Sequence, residues 1–148
     1  MNWPSHLTNA SMTSLNALSD IVIVNYYEQK PLTDIPGILT AAGQKPVVFQ
    51  EIGCHDSVTA GITEDAQAQC VSDIFQVWKQ NVSQIPFAAY FTLFDLSQTD
   101  CDQLSSYFYG GVNLQFESVF CHLGLRRVDG TAKPSWQAFV NGAISLKQ

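Results

Sequence analysis

Three runs of strand length, "IVIVNYY", "PVVFQEIG" and "FAAYFTLFDLS", carry almost no polar residue until their last positions. A strand with one wet face alternates apolar and polar residues. Near-continuous apolar runs instead predict strands covered on both faces, as in a parallel sheet. Between the runs the period changes to that of a helix. In "TDIPGILTAAG", Ile35, Ile38, Leu39 and Ala42 share one helical face, with Pro36 in the first turn and Gly43 as a stop. Thr63 precedes the acidic first turn Glu64–Asp65 and a stripe of Val71, Ile74, Phe75 and Trp78. After a polar loop, Phe116, Val119, Phe120 and Leu123 recur at helical spacing, and "KPSWQAFVNGAI" opens a last helix on Pro134. A further helix with Met12, Leu15 and Leu18 is expected ahead of the first strand.

The order is βαβαβα, which means parallel strands joined by right-handed crossovers. The fold class expected is α/β, with residues 1–148 forming one domain. Three parallel strands leave two edges of unpaired backbone. The chain is therefore expected either to form a small doubly wound sheet or to be a truncated (β/α) barrel, half of a TIM barrel. Self-association into a homo-oligomer would cover the edges.

Charge narrows the partners. The net charge is −6, and no window is rich in Lys or Arg, so no nucleic acid or anionic membrane partner is expected. No apolar run reaches the roughly 18 residues of a membrane span. No signal peptide is visible at the N-terminus, and the chain reads as soluble, either cytoplasmic or secreted as part of a longer precursor. Cys54, Cys70, Cys101 and Cys121 contain no CxxC pair, so a zinc site is not expected. Cys54 and Cys101 each follow a strand, which leaves a bridge across the loops open to them. No cofactor and no metal are expected, since the three His are scattered and no phosphate-cradling loop is present.

In parallel α/β folds ligands bind at the carboxyl ends of the strands. Those ends supply Asn25, Tyr26 and Tyr27, then Glu51, His55, Asp56 and Ser57, then Phe94, Asp95 and Ser97. Acids, aromatics and a histidine gather where chemistry is expected. Strand ends are also where any chain turns polar, and Asp95 suits a cap as well as a site.

These same segments resemble a known family. "DIVIVNYYEQK", "KPVVFQEIGC", "AAYFTLFDLS" and "LGLRRVDGTAKPSWQAF", in that order, look like the last three βα units of a clan A retaining glycoside hydrolase. The resemblance implies that Glu51 stands at the nucleophile position. It implies that Tyr27, or Tyr26, hydrogen-bonds that carboxylate, with Asn25 beside it. Phe94 then stands where the family's strand-eight Trp stacks on sugar. One element of the family is missing: retaining glycosidases use two carboxyls about 5–5.5 Å apart, and the family's acid/base belongs to an Asn-Glu pair that this chain lacks.

Three functions follow as expectations. The first is a hydrolase of glycosidase descent acting on a small-molecule or oligosaccharide substrate, with leaving-group protonation from Asp56, Asp95, His55 or a second subunit. The second is a carboxylesterase in which Ser57 or Ser97 is the nucleophile, with His55 and an acid completing the set, although no GxSxG elbow is present. The third is a carbohydrate-binding remnant without turnover. Tyr107, Phe108 and Tyr109, read as part of the loop after the third strand, would line a cleft or an interface.

Overall fold

The computed structural model describes residues 17–147. Most of the expected first helix, together with His6, lies outside them. Three strands, β1 (Val22–Tyr26), β2 (Val47–Ile52) and β3 (Phe87–Tyr90), form one sheet in the order β1-β2-β3. Both pairings are parallel. Helix α1 (Pro31–Ala42) links β1 to β2, and α2 (Glu64–Gln80) links β2 to β3. A hairpin of α3 (Gln98–Tyr109) and α4 (Leu114–Phe120) follows β3, and α5 (Pro134–Ser145) ends the described chain.

Helices α1, α2 and α5 lie on one face of the sheet. Val22, Val24 and Tyr26 of β1 and Val47, Phe49 and Ile52 of β2 enter one core with Ile35, Ile38 and Leu39 of α1 and Val71, Ile74 and Phe75 of α2; Trp136 and Phe139 of α5 pack against it. A doubly wound sheet would carry helices on both faces. This arrangement is part of a (β/α) barrel wall, with the helices outside.

The other face is where the strand expectation needs correction. The burial of β1 alternates, and Ile23 is 62% exposed while Val22 and Val24 are buried. Ile23 pairs with Val48 and Val48 with Phe87, itself 53% exposed, so an apolar row crosses the open face. The residues were chosen for two covered faces, and the described residues cover one.

Three local corrections follow. The loop expected after β3 is largely helix α3. Ser97 caps it by accepting the Asp100 N–H, and Gly110 ends it at φ 74°, a conformation natural to glycine. Helix α4 stops at Phe120, which leaves Leu123 in the turn beyond, fully buried. The cysteines pair as Cys54–Cys70 and Cys101–Cys121 instead of across the loops. The first pair staples the β2 loop to α2, and the second ties α3 to the end of α4.

Candidate active site

Parallel strands aim their carboxyl ends in one direction, and the β1–β2 pairing sets Asn25 beside Glu51. The register slips between Val24 and Asn25, so Gln50 is passed over and Glu51 comes level with Asn25 on the open face. Asn25 Nδ2 donates to Glu51 Oε2 at 3.3 Å. The Tyr27 hydroxyl donates to the same oxygen. Glu51 is half-buried, with two donors on one oxygen and the other oxygen outside those bonds. Two donors converging on one oxygen hold the carboxylate in a fixed orientation.

Tyr26 does not join this group. Strand alternation turns it into the core, where it is fully buried, donates to Asp34 Oδ2 at 3.0 Å and accepts the Lys30 N–H. Burial first, then the Asp34 charge, pushes its phenol far above the usual range. Phe94 is 45% exposed and pairs with Arg126 beyond the end of β3. The ring that reaches Tyr27 from this side is Phe91, edge-on with centroids 6.2 Å apart. Phe120 of α4 approaches the same tyrosine at 4.8 Å.

His55 and Ser57 meet, but not as a base and a nucleophile. The Ser57 backbone N–H donates to His55 Nδ1 at 3.4 Å, and the fully buried Ser57 hydroxyl caps the following turn by accepting the Ala60 N–H. Burial holds the His55 imidazole below its ordinary value, against the raising charges of Asp56 and Glu28. Ser97 is occupied likewise, capping α3 and donating to Asp100 Oδ2 at 2.6 Å.

Asp95 belongs to a second cluster that sequence reasoning missed. Lys133, directly before α5, buries its side chain to 1% exposure. Its Nζ lies 2.8 Å from Asp56 Oδ2 and 2.6 Å from Asp95 Oδ2. Asp95 Oδ1 also accepts from Lys133 Nζ and from the Gly124 N–H. Desolvation nevertheless outweighs this help and raises the Asp95 carboxyl above its ordinary value, with the Asp56 charge adding to the rise. His122 Nδ1 stands 3.8 Å from Asp56 Oδ1, a buried oxygen without a hydrogen bond. Ligand atoms of Asp56, Asp95 and His122 lie within 4.8 Å of one another. Between the two carboxylates, however, sits the lysine's own ammonium, which fills the cation's place. Beside this cluster a cleft of about 710 Å³ opens, walled by Ile62, Glu64, His122, Arg127 and Asp129. Arg127 grips Glu64 there through Nη2 at 2.6 Å and Nε at 2.8 Å.

Gln67 holds the loops together. Fully buried, it donates to the carbonyls of Cys54, His122 and Gly124 and accepts from the Ser135 hydroxyl. The loop after β2, the segment after α4 and the start of α5 are thereby tied to one side chain.

No family model and no curated protein matches the chain. Solved structures do. A GH5_18 protein from Bifidobacterium longum subsp. infantis superposes with a TM-score of 0.61 at 14% identity over 86% of this chain and 31% of its own. Native xylanase10C from Cellvibrio japonicus matches at 0.57 and 17% over 94% of this chain and 34% of its own. A GH128 (subgroup VII) oligosaccharide-binding protein from Trichoderma gamsii matches at 0.51 and 14% over 97% of this chain and 51% of its own. The likeness is one of fold: the chain has a glycosidase-like partial barrel and spans about a third of the first of these structures. No described helix is long and apolar enough to cross a membrane.

Proposed function

We propose that this chain is a hydrolase of glycosidase descent in which Glu51 is the reactive carboxylate. One observation carries the reading: Asn25 and Tyr27, from the neighbouring strand end, both donate to one oxygen of Glu51 on the open face. A structural carboxylate at a strand end would cap a turn or pair with a cation. This one is oriented by neutral donors, which fix one oxygen and leave the other for substrate. Glu51 Oε1 then attacks the anomeric carbon as its bond to the leaving group breaks, and water afterwards displaces the carboxylate to release the sugar. The glycosidase-like fold adds weight to this reading.

The two acids expected to supply the proton, Asp56 and Asp95, are engaged by Lys133. Leaving-group protonation is therefore the weak step, and substrates whose leaving group departs unprotonated should react best. The test is hydrolysis of a panel of 2,4-dinitrophenyl glycosides. Turnover should fall at least a hundredfold in Glu51→Gln and about tenfold in Tyr27→Phe. Turnover equal in wild type and Glu51→Gln would defeat the reading. Self-association is part of the proposal, because a second copy on the open face would cover the Ile23–Val48–Phe87 row and close a pocket over Glu51. Light scattering that shows one chain per particle would remove that part.

A second reading, carbohydrate binding without turnover, draws support from the oligosaccharide-binding protein among the similar folds. The serine-esterase alternative draws none, because both candidate hydroxyls serve as caps. The two disulfides fit an oxidising compartment.

A further inference from the structure

A file of aromatic rings leaves Glu51 and runs out along the α3–α4 hairpin. Tyr27, bound to Glu51 through its hydroxyl, meets Phe120 edge-on at 4.8 Å. Phe120 stacks on Phe116 at 4.5 Å, with the planes inclined by 16°. Phe116 meets Tyr109 at 5.3 Å and Phe108 at 6.0 Å, and Phe108 meets Tyr107 at 5.1 Å. The far end is bare: Tyr107 is 82% exposed, Phe108 62% and Tyr109 57%.

Rings placed so are costly unless something covers them. The hairpin also fixes them in position. The Cys101–Cys121 bridge ties its two helices, and the Ser105 hydroxyl clamps the turn by accepting the Asn113 N–H and donating to the Gly111 carbonyl. Charge selects the occupant. From Gln98 to Phe120 there is no Lys or Arg, while Asp100, Asp102 and Glu117 are acidic. A phosphorylated, sulfated or uronic ligand would be repelled. A neutral sugar presents an apolar face of C–H bonds that suits the electron-rich face of an aromatic ring. Tyrosine hydroxyls at the rim can bond its hydroxyls.

We propose that this ridge binds a neutral oligosaccharide and leads its chain toward Glu51, so that the protein prefers long substrates over short ones. The proposal rests on the carbohydrate reading above and assigns distal binding to Tyr107 and Phe108, which touch neither Glu51 nor its donors.

The test measures binding of cellohexaose, xylohexaose and laminarihexaose, and of the matching disaccharides, by titration calorimetry, with dinitrophenyl monoglycoside hydrolysis in parallel. The best hexasaccharide should bind at least tenfold more tightly than its disaccharide. Tyr107→Ala/Phe108→Ala should remove most of that difference and leave monoglycoside turnover unchanged, while Tyr107→Trp/Phe108→Trp should retain it. Glu51→Gln should abolish turnover and keep hexasaccharide binding. Binding of hexasaccharides without any turnover would sustain the ridge and overturn catalysis. Turnover without length-dependent binding, or binding unaltered by the double alanine change, would overturn the ridge alone. A double alanine variant that converts a dimer into monomers without altering sugar binding would assign the ridge to self-association, and so refute the proposal.

Discussion

Lys133→Met tests the buried cluster that fastens the strand-end loops to α5. Methionine keeps most of the side chain's volume, so the change removes a charge with little cavity. Two carboxylates then face each other with 8% and 11% side-chain exposure and no ammonium between them. Breaking a buried pair in this way costs about 3–5 kcal/mol. Unfolding entropy is roughly 2.1 cal/mol/K per residue, or about 0.3 kcal/mol/K for 148 residues, so Tm should fall by about 10–16 °C. The loss should depend on pH in a definite sense. Asp95 already has a raised folded-state value, so its contribution is fully present below its ordinary value of 3.8 and is lost as pH rises through the folded one. Without Lys133 that folded value rises further. The variant should thus recover toward wild type on acidification, by up to about 1.4 kcal/mol per pH unit for one proton. Urea unfolding followed by the fluorescence of Trp78 and Trp136 provides the assay, and Asp95→Asn/Lys133→Met should restore part of the loss. A change below about 1 kcal/mol at neutral pH, or an equal loss at pH 4 and 7, would refute the account.

Other outcomes follow from the same geometry. Gln67→Leu removes donors from three carbonyls. Those of Cys54 and His122 keep bonds from Tyr90 Oη and the Asp56 N–H, so the cost falls mainly on Gly124 and Ser135, about 2–4 kcal/mol in urea unfolding; an unchanged midpoint would contradict it. His55 has a lowered folded value, so its contribution is complete above 6.5 and is lost as pH falls through the folded value. His55→Asn should flatten the decline of Tm with acidification below pH 6.5, and a parallel curve would count against it. Gly142→Ala drives a methyl group into the buried Phe75 ring where α5 crosses α2. Overpacking of about 1–3 kcal/mol outweighs roughly 1 kcal/mol of helix propensity, so the melting temperature should drop; a rise would show that the ring yields.

The sheet, its parallel order and helices α1, α2 and α5 were legible because apolar runs and helical stripes record burial directly. The same record misled on the second face, since residues such as Ile23 and Phe87 carry the signature of a covered position whether or not the described chain covers it. Helix α3 was hidden because it buries only Cys101 and Ser105 and shows no apolar stripe. Its one local signal was Ser97 followed three residues later by Asp100, a capping pattern. In the site, the resemblance brought Asn25, Tyr27 and Glu51 together, and strand alternation decided against Tyr26. Phe91 was passed over for Phe94 because the apolar run "YFTLFD" does not mark where the strand stops, which is at Tyr90. Lys133 left no signal, because a lysine before a proline looks like any surface cation.

Glu51 rides on the middle strand, flanked by β1 on one side and β3 on the other. Its backbone is thus held by two ladders, whereas each outer strand has one. Amide protons of Val47–Ile52 should be among the slowest to exchange with solvent. Insertions, new neighbours or a docking copy can reshape the margins of this sheet and leave the acid's footing unmoved.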